Sequence, residues 1–180
     1  MRVIAGSLGG RTLRAPAGRA TRPTSDRVRE ALFSMLGSVE GARVLDLFAG
    51  SGALGIEALS RGAASVVFVE RDASALRAVS TNLQRLGLGP PAAQVRRGDA
   101  RAALQSARAG QETYDLVFID PPYAQAHEWA PLLSANLPAI VGAGGRVVVE
   151  SDRRNPLQLD GAPERHRRYG DTSITIHRQP

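Results

Sequence analysis

The spacing of apolar residues changes period several times along the chain. Val28, Ala31, Leu32, Met35 and Leu36 fall at the i, i+3, i+4, i+7, i+8 positions of an amphipathic helix. Thr24 or Ser25 can cap that helix, with Asp26 in its first turn facing the positive end of the helix dipole. Gly37 and Gly41 bracket a linker, and a regular alternation follows. Residues 44–48 form an apolar strand, 53–61 a helix, 65–70 a strand and 72–86 a helix with Leu76, Val79, Leu83 and Leu86 on one face. After a loop over 87–91 come a strand through Val95, a helix over about 100–108 and a strand over 114–120. A helix near 126–137 and a strand over 146–150 complete the alternation. Ser173-Ile174-Thr175-Ile176 alternates with period two, as one or two antiparallel strands do. Strands alternating with helices predict an α/β fold, an open sheet with helices on both faces. Ligands of such sheets bind at the carboxyl ends of the strands.

Composition narrows the classes. With 180 residues, 43% of them hydrophobic, the chain is expected to fold as one domain with a full core. It has no cysteine, which excludes disulfides and thiolate metal sites, and its three histidines lack ligand spacing, so no metal is expected. No apolar run approaches the ~18 residues of a membrane span, and no signal-like stretch opens the chain, so a cytoplasmic protein with no membrane partner is expected. The charge is segregated. All 23 basic residues are arginine. Residues 1–29 hold Arg2, Arg11, Arg14, Arg19, Arg22, Arg27 and Arg29 against the single acid Asp26, so the whole net charge of +6 sits there. A basic arm on a neutral body is the electrostatic footprint of a nucleic-acid binder, against the alternative of a solubilising tail. Val3-Ile4-Ala5 and Thr12-Leu13, with Gly9-Gly10 between them, give the arm a hairpin pattern. The arm therefore reads as an appendage, residues 1–22, on a body of residues 23–180.

Two motifs carry chemistry. The first follows the strand Leu116-Val117-Phe118-Ile119 and reads Asp120-Pro121-Pro122-Tyr123. A carboxylate and a proline carbonyl can each accept one hydrogen of an NH2 group, since neither proline has an N–H, and the tyrosine can stack on a planar ring. Bonds to both amine hydrogens draw the nitrogen lone pair out of conjugation and make it nucleophilic. A strand closed by a plain proline turn is the alternative. The second motif is Asp46-Leu47-Phe48-Ala49-Gly50-Ser51-Gly52-Ala53-Leu54-Gly55, a glycine turn opening a helix, with Glu70 twenty residues after Gly50. A nicotinamide enzyme would use this pattern. Asp46, however, would turn negative charge towards a pyrophosphate, whereas it suits an ammonium group. S-Adenosylmethionine has an ammonium for Asp46, a ribose diol for Glu70 and an adenine amine for Asp99 in Arg97-Gly98-Asp99-Ala100.

The chain resembles the bacterial 16S ribosomal RNA (guanine-N2)-methyltransferases, small class I methyltransferases. The resemblance spans nearly its whole length and rests on residues 22–33, the segment 45–61 and Asp120-Pro121-Pro122-Tyr123. It implies a Rossmann-like, mostly parallel seven-stranded sheet with the last strand antiparallel, and an N-terminal β-hairpin extension. It implies S-adenosylmethionine as cofactor, held by Asp46, Phe48, Gly50, Gly52, Glu70, Arg71, Asp99 and Ala100, and methyl transfer at Asp120, Pro121, Pro122 and Tyr123. The partner would be 16S rRNA or an assembling small ribosomal subunit, contacted through Arg11, Arg14, Arg19, Arg22 and Arg27, and the protein would act as a monomer. The family often has arginine where Gly9 stands and phenylalanine where Tyr123 stands. Rival activities are methylation of a DNA adenine, methylation of a protein glutamine, and RNA binding without catalysis.

Overall fold

In the computed structural model the residues described are 1–16, 25–122 and 126–179. The elements run α1 (Asp26–Leu36), β1 (Arg43–Asp46), α2 (Ala53–Ser60), β2 (Ser65–Glu70), α3 (Ala73–Leu86), β3 (Ala93–Arg97), α4 (Ala100–Ala109), β4 (Tyr114–Ile119), α5 (Ala126–Ile140), β5 (Val141–Asp152), β6 (Arg165–Tyr169) and β7 (Thr172–Arg178). The seven strands form one sheet in the order β3-β2-β1-β4-β5-β7-β6. β1 to β5 pair in parallel, and β7 runs antiparallel to both β5 and β6.

Two apolar clusters cover the sheet, one on each face. Leu32 and Phe33 of α1, Ile56 of α2 and Val79 of α3 meet Val44, Phe68 and Phe118 on one side. Leu104 of α4 and Leu133 and Leu137 of α5 meet Leu45, Val117 and Val149 on the other. The alternation of side chains along each strand produces this division. Polar residues fix the helix starts. Ser25 accepts a hydrogen bond from the Val28 N–H at 3.3 Å and caps α1; Asp72 and Asp99 cap α3 and α4 in the same way.

The described part of the basic arm packs closely on the body. Its chain doubles back through a bridge between Arg2 and Thr12, and Val3 and Leu13 are buried with α1 and α3 in one cluster. Glu57 on α2 has no exposed surface and accepts the Ile4 N–H at 2.7 Å, the Ala5 N–H at 3.1 Å and the Arg61 Nε–H at 2.7 Å. Ser60 accepts the Leu8 N–H at 3.0 Å and donates its hydroxyl to the Ala5 carbonyl. Two buried polar groups thus depend on the arm's backbone for their partners. Arg29, counted among the basic residues of the arm, is buried, and its guanidinium bonds Asp26 at 2.9 Å and the Arg2 carbonyl. The proposed boundary at residue 22 lies outside the described residues.

Candidate active site

Because β3, β2, β1 and β4 are parallel neighbours, their carboxyl ends lie side by side. Each end carries an acid at or just beyond the strand: Asp46 after Leu45, Glu70 after Val69, Asp99 two residues past Arg97, Asp120 after Ile119. A cavity of about 730 Å³ opens over them. It brings together Asp46, Phe48, Gly50, Glu70, Arg71, Asp99, Ala100, Asp120, Pro121 and Pro122. Tyr123 lies outside the described residues. Gly52 is not on the cavity wall; it caps α2 at φ +81°, and a Cβ there would sit 2.7 Å from Val79 Cγ2. A smaller cavity of about 390 Å³, against Met35, Arg146 and Arg178, is separate from these acids.

The acids also brace the backbone around the cavity. Asp46 Oδ2 accepts the Gly55 N–H at 3.1 Å. Glu70 holds the glycine turn, with Oε2 accepting the Gly50 N–H at 2.8 Å and Oε1 accepting the Arg71 and Asp72 N–H groups at 2.8 Å each. Asp99 accepts the Ala102 N–H at 2.8 Å as it caps α4. A carboxylate has about four acceptor sites, so each can take a ligand's donors as well.

Asp46 and Asp120 hold their protons unusually tightly. Burial, opposed by the Gly55 hydrogen bond and aided by the charge of Glu70, pushes Asp46 up to about 7. Burial, then the charges of Glu150 and Asp46, hold Asp120 well above the ordinary carboxylate range. Carboxylates crowded in a cleft of low dielectric keep protons until a cation or a donor arrives.

The structure adds residues that the sequence reading missed. Glu150, buried at the end of β5, follows Val147-Val148-Val149 in the same pattern of acid after apolar strand that marks Asp46, Glu70 and Asp120. Trp129 of α5 lines the cavity, sets its ring edge-on to Phe48 at 5.2 Å and has its Nε1–H buried with no partner. Met1, Ala15 and Pro16 of the arm form part of the wall. No sequence signal marked these three, since nothing in the arm's pattern says where it docks.

Of the arginines read as RNA contacts, Arg11, Arg14 and Arg27 are exposed, whereas Arg19 and Arg22 lie outside the described residues. Among the described residues no group of three metal-binding side chains forms and no helix is long and apolar enough to cross a membrane.

The fit to an adenosyl ligand can be judged from the wall itself. Gly50 leaves open space where a side chain would stand, since the nearest atom to a Cβ there is the Phe48 carbonyl oxygen at 4.0 Å. The acids Asp46, Glu70, Asp99 and Asp120 share that cavity with the aromatic rings of Phe48 and Trp129. This donor set suits an ammonium, a diol and a flat heterocycle, and gives a pyrophosphate little to bind.

The family described as conserved hypothetical protein 95 matches residues 1–178. YlbH of Bacillus subtilis (strain 168) is 43% identical over 183 residues, covering 99% of each chain. Ribosomal RNA small subunit methyltransferase D of Escherichia coli (strain K12) is 44% identical over 160 residues, 87% of this chain and 77% of that one. Among solved structures, a hypothetical protein of Thermus thermophilus superposes with a TM-score of 0.84 at 34% identity, covering 98% of both chains.

Proposed function

We propose that this chain, which belongs to the conserved hypothetical protein 95 family, is an S-adenosylmethionine-dependent ribosomal RNA methyltransferase whose target is the exocyclic amine N2 of a guanine in 16S rRNA. The observation that carries the proposal is the position of Asp120. It opens on the same cavity as Asp46 and Glu70 and is followed by two prolines that offer carbonyls and no N–H.

S-Adenosylmethionine supplies an electrophilic methyl group on a sulfonium. In our reading Asp46 takes its ammonium, Glu70 its ribose hydroxyls and Asp99 its adenine amine, with Phe48, Gly50, Arg71 and Ala100 lining the rest of the subsite and Gly52 capping α2 behind it. Asp120 and the Pro121 carbonyl each accept one hydrogen of the guanine amine, Pro122 stiffens the lip, and Tyr123 stacks on the base. The amine nitrogen, its lone pair freed, would form the new bond to the methyl carbon as the carbon–sulfur bond breaks and its electron pair leaves on the sulfur of S-adenosylhomocysteine, and would then shed a proton to Asp120 or water. A carboxyl whose proton affinity is already raised suits that last step. Positioning and charge placed where the amine turns cationic supply most of the rate. The guanine must leave its stack to reach the lip, which a loop nucleotide does at little cost. Exposed Arg11, Arg14 and Arg27, with Arg19 and Arg22, would hold the RNA backbone, and the protein would act as a monomer in the cytoplasm.

The test is incubation with labelled S-adenosylmethionine and, separately, 16S rRNA, assembled small subunits, duplex DNA and protein, followed by nucleoside and amino-acid analysis. N2-methylguanosine from either ribosomal substrate is expected. Methyladenine from DNA, methylglutamine, or label bound without transfer would each replace this reading with one of its rivals.

A further inference from the structure

Asn82 lies inside α3, where asparagine is a poor helix former, yet it is 1% exposed. Its amide oxygen and both amide hydrogens are engaged. Oδ1 accepts the Arg14 N–H at 2.8 Å, and Nδ2 donates to the Arg14 carbonyl at 3.0 Å and to the Ser51 carbonyl at 2.9 Å. These partners belong to different parts of the molecule. Ser51 is in the glycine turn and lines the cavity; Arg14 is in the basic arm, next to Ala15 and Pro16, which line the same cavity. Met1, at the other end of the arm, closes the circuit: its sulfur lies 3.6 Å from the Ser51 hydroxyl, and it too is on the cavity wall. Three donor–acceptor pairs within one buried amide leave little freedom for arm and turn to move independently.

We infer that Asn82 is a positioning residue that couples the arm's grip on RNA to cofactor binding. The inference rests on the reading of the chain as an RNA methyltransferase whose arm binds RNA. RNA held by the side chains of Arg11 and Arg14 fixes the backbone at Arg14. That backbone fixes the Asn82 amide, and the amide holds the Ser51 carbonyl and with it the turn against which the cofactor lies. A ligand that finds the turn already ordered binds more tightly, and by reciprocity the cofactor strengthens the arm's hold on RNA by the same factor.

The experiment measures binding of labelled S-adenosylhomocysteine, which permits no turnover, by equilibrium dialysis with and without saturating small ribosomal subunits. In the wild type the subunits are expected to tighten binding by about fivefold or more, the lower end of ordinary coupling. Asn82→Ala, and Asn82→Asp, which keeps the acceptor and loses both donors, should bring that ratio close to one. A merely structural pin predicts something different: both variants melt earlier and bind more weakly under both conditions, with the ratio preserved. That result overturns the inference, as does a wild-type ratio of one. Hydrogen exchange on the wild type provides a readout independent of variant folding: S-adenosylhomocysteine alone should slow exchange at the Arg14 amide, and unchanged exchange there overturns the coupling. Should the wild type bind the cofactor yet neither bind nor methylate ribosomal substrates, the activity reading falls as well, a result distinct from binding without coupling.

Discussion

At the scale of single residues, the candidate site is a set of carboxyls that differ in surroundings. On the proposed function Asp120 would hold the acceptor, so Asp120→Ala is expected to lower methyl transfer by ~10²-fold or more while leaving cofactor binding near wild type. Trp129 is the chain's one tryptophan and sits on the cavity wall, so its fluorescence can follow the second quantity while labelled transfer follows the first. Turnover like that of the wild type would remove Asp120 from the chemistry. Asp46 makes a prediction in pH. Its pKa is raised from 3.8 to about 7 by burial, so its folded form holds a proton that the unfolded chain releases earlier. The resulting stability is fully present below the unfolded value near 3.8 and is lost as pH rises through about 7. Asp46→Asn, which keeps an acceptor for the Gly55 N–H, should therefore melt higher than the wild type at pH 7.5, with a smaller gap at pH 5. An ammonium ligand selects the ionised form, so wild-type affinity for S-adenosylhomocysteine should rise between pH 6 and 7.5, and the variant's should stay flat. A flat wild-type profile would place the ammonium elsewhere.

At the scale of elements, the strands were legible wherever an apolar run was bounded by turn residues. β1, β2 and β4 match the sequence reading to within two residues, because strands buried on both faces leave nothing to alternate. β5 begins at Val141 rather than Arg146, since its start pairs with Tyr114 across an irregular register that no spacing reveals. β6, the second of the one or two strands expected at the end, could not be placed: Arg165-His166-Arg167-Arg168-Tyr169 has no apolar alternation and is a strand because β7 offers it an edge. The site divides in the same way. Residues that follow a strand within one motif were read from the sequence, whereas Glu150, Trp129 and Asn82 act through partners 30 or more residues away or on other elements and carry no local mark. The glycine motif shows how a motif can mix tasks. Gly50 faces the cavity, but a Cβ on Gly55 would meet the Phe68 ring at 2.3 Å and Val66 at 2.8 Å. Gly55 is there for packing of α2 on β2. Gly55→Ala should cost about 1–3 kcal/mol of stability as an overpacked core. Thermal melting without ligand checks this, and an unchanged midpoint would show that α2 shifts freely.

At the scale of the whole molecule, the charge map and the packing map must be combined before the arm can be understood. Net charge alone marks residues 1–29 as a basic tail, yet Arg29 is a buried structural ion and Arg2 lies 3.5 Å from Asp26. The arginines of the proposed RNA contact that stay exposed among the described residues are Arg11, Arg14 and Arg27, displayed on a segment whose Val3 and Leu13 belong to the core. Removing the arm and neutralising it are therefore different experiments. Deleting residues 1–14 takes away two core side chains, the partners of Glu57, Ser60 and Asn82, and Met1 of the cavity wall. Glu57 would keep only Arg61 and Asn82 only the Ser51 carbonyl, and stripping a buried carboxylate and a buried amide of their other partners is costly, so the deletion should melt well below the full chain and lose cofactor affinity. Arg11→Ala with Arg14→Ala removes charge alone, since the arm's packing uses the Arg14 backbone and not its side chain. That double variant should keep its melting temperature and its affinity for free S-adenosylhomocysteine. Its binding to small subunits should weaken, and the slope of log K against log salt should flatten by ~0.7 for each phosphate no longer neutralised, because fewer counterions are released. An unchanged slope with weaker binding would mean that these arginines act by packing and not by meeting phosphates. An unchanged affinity would move the RNA surface off the arm altogether.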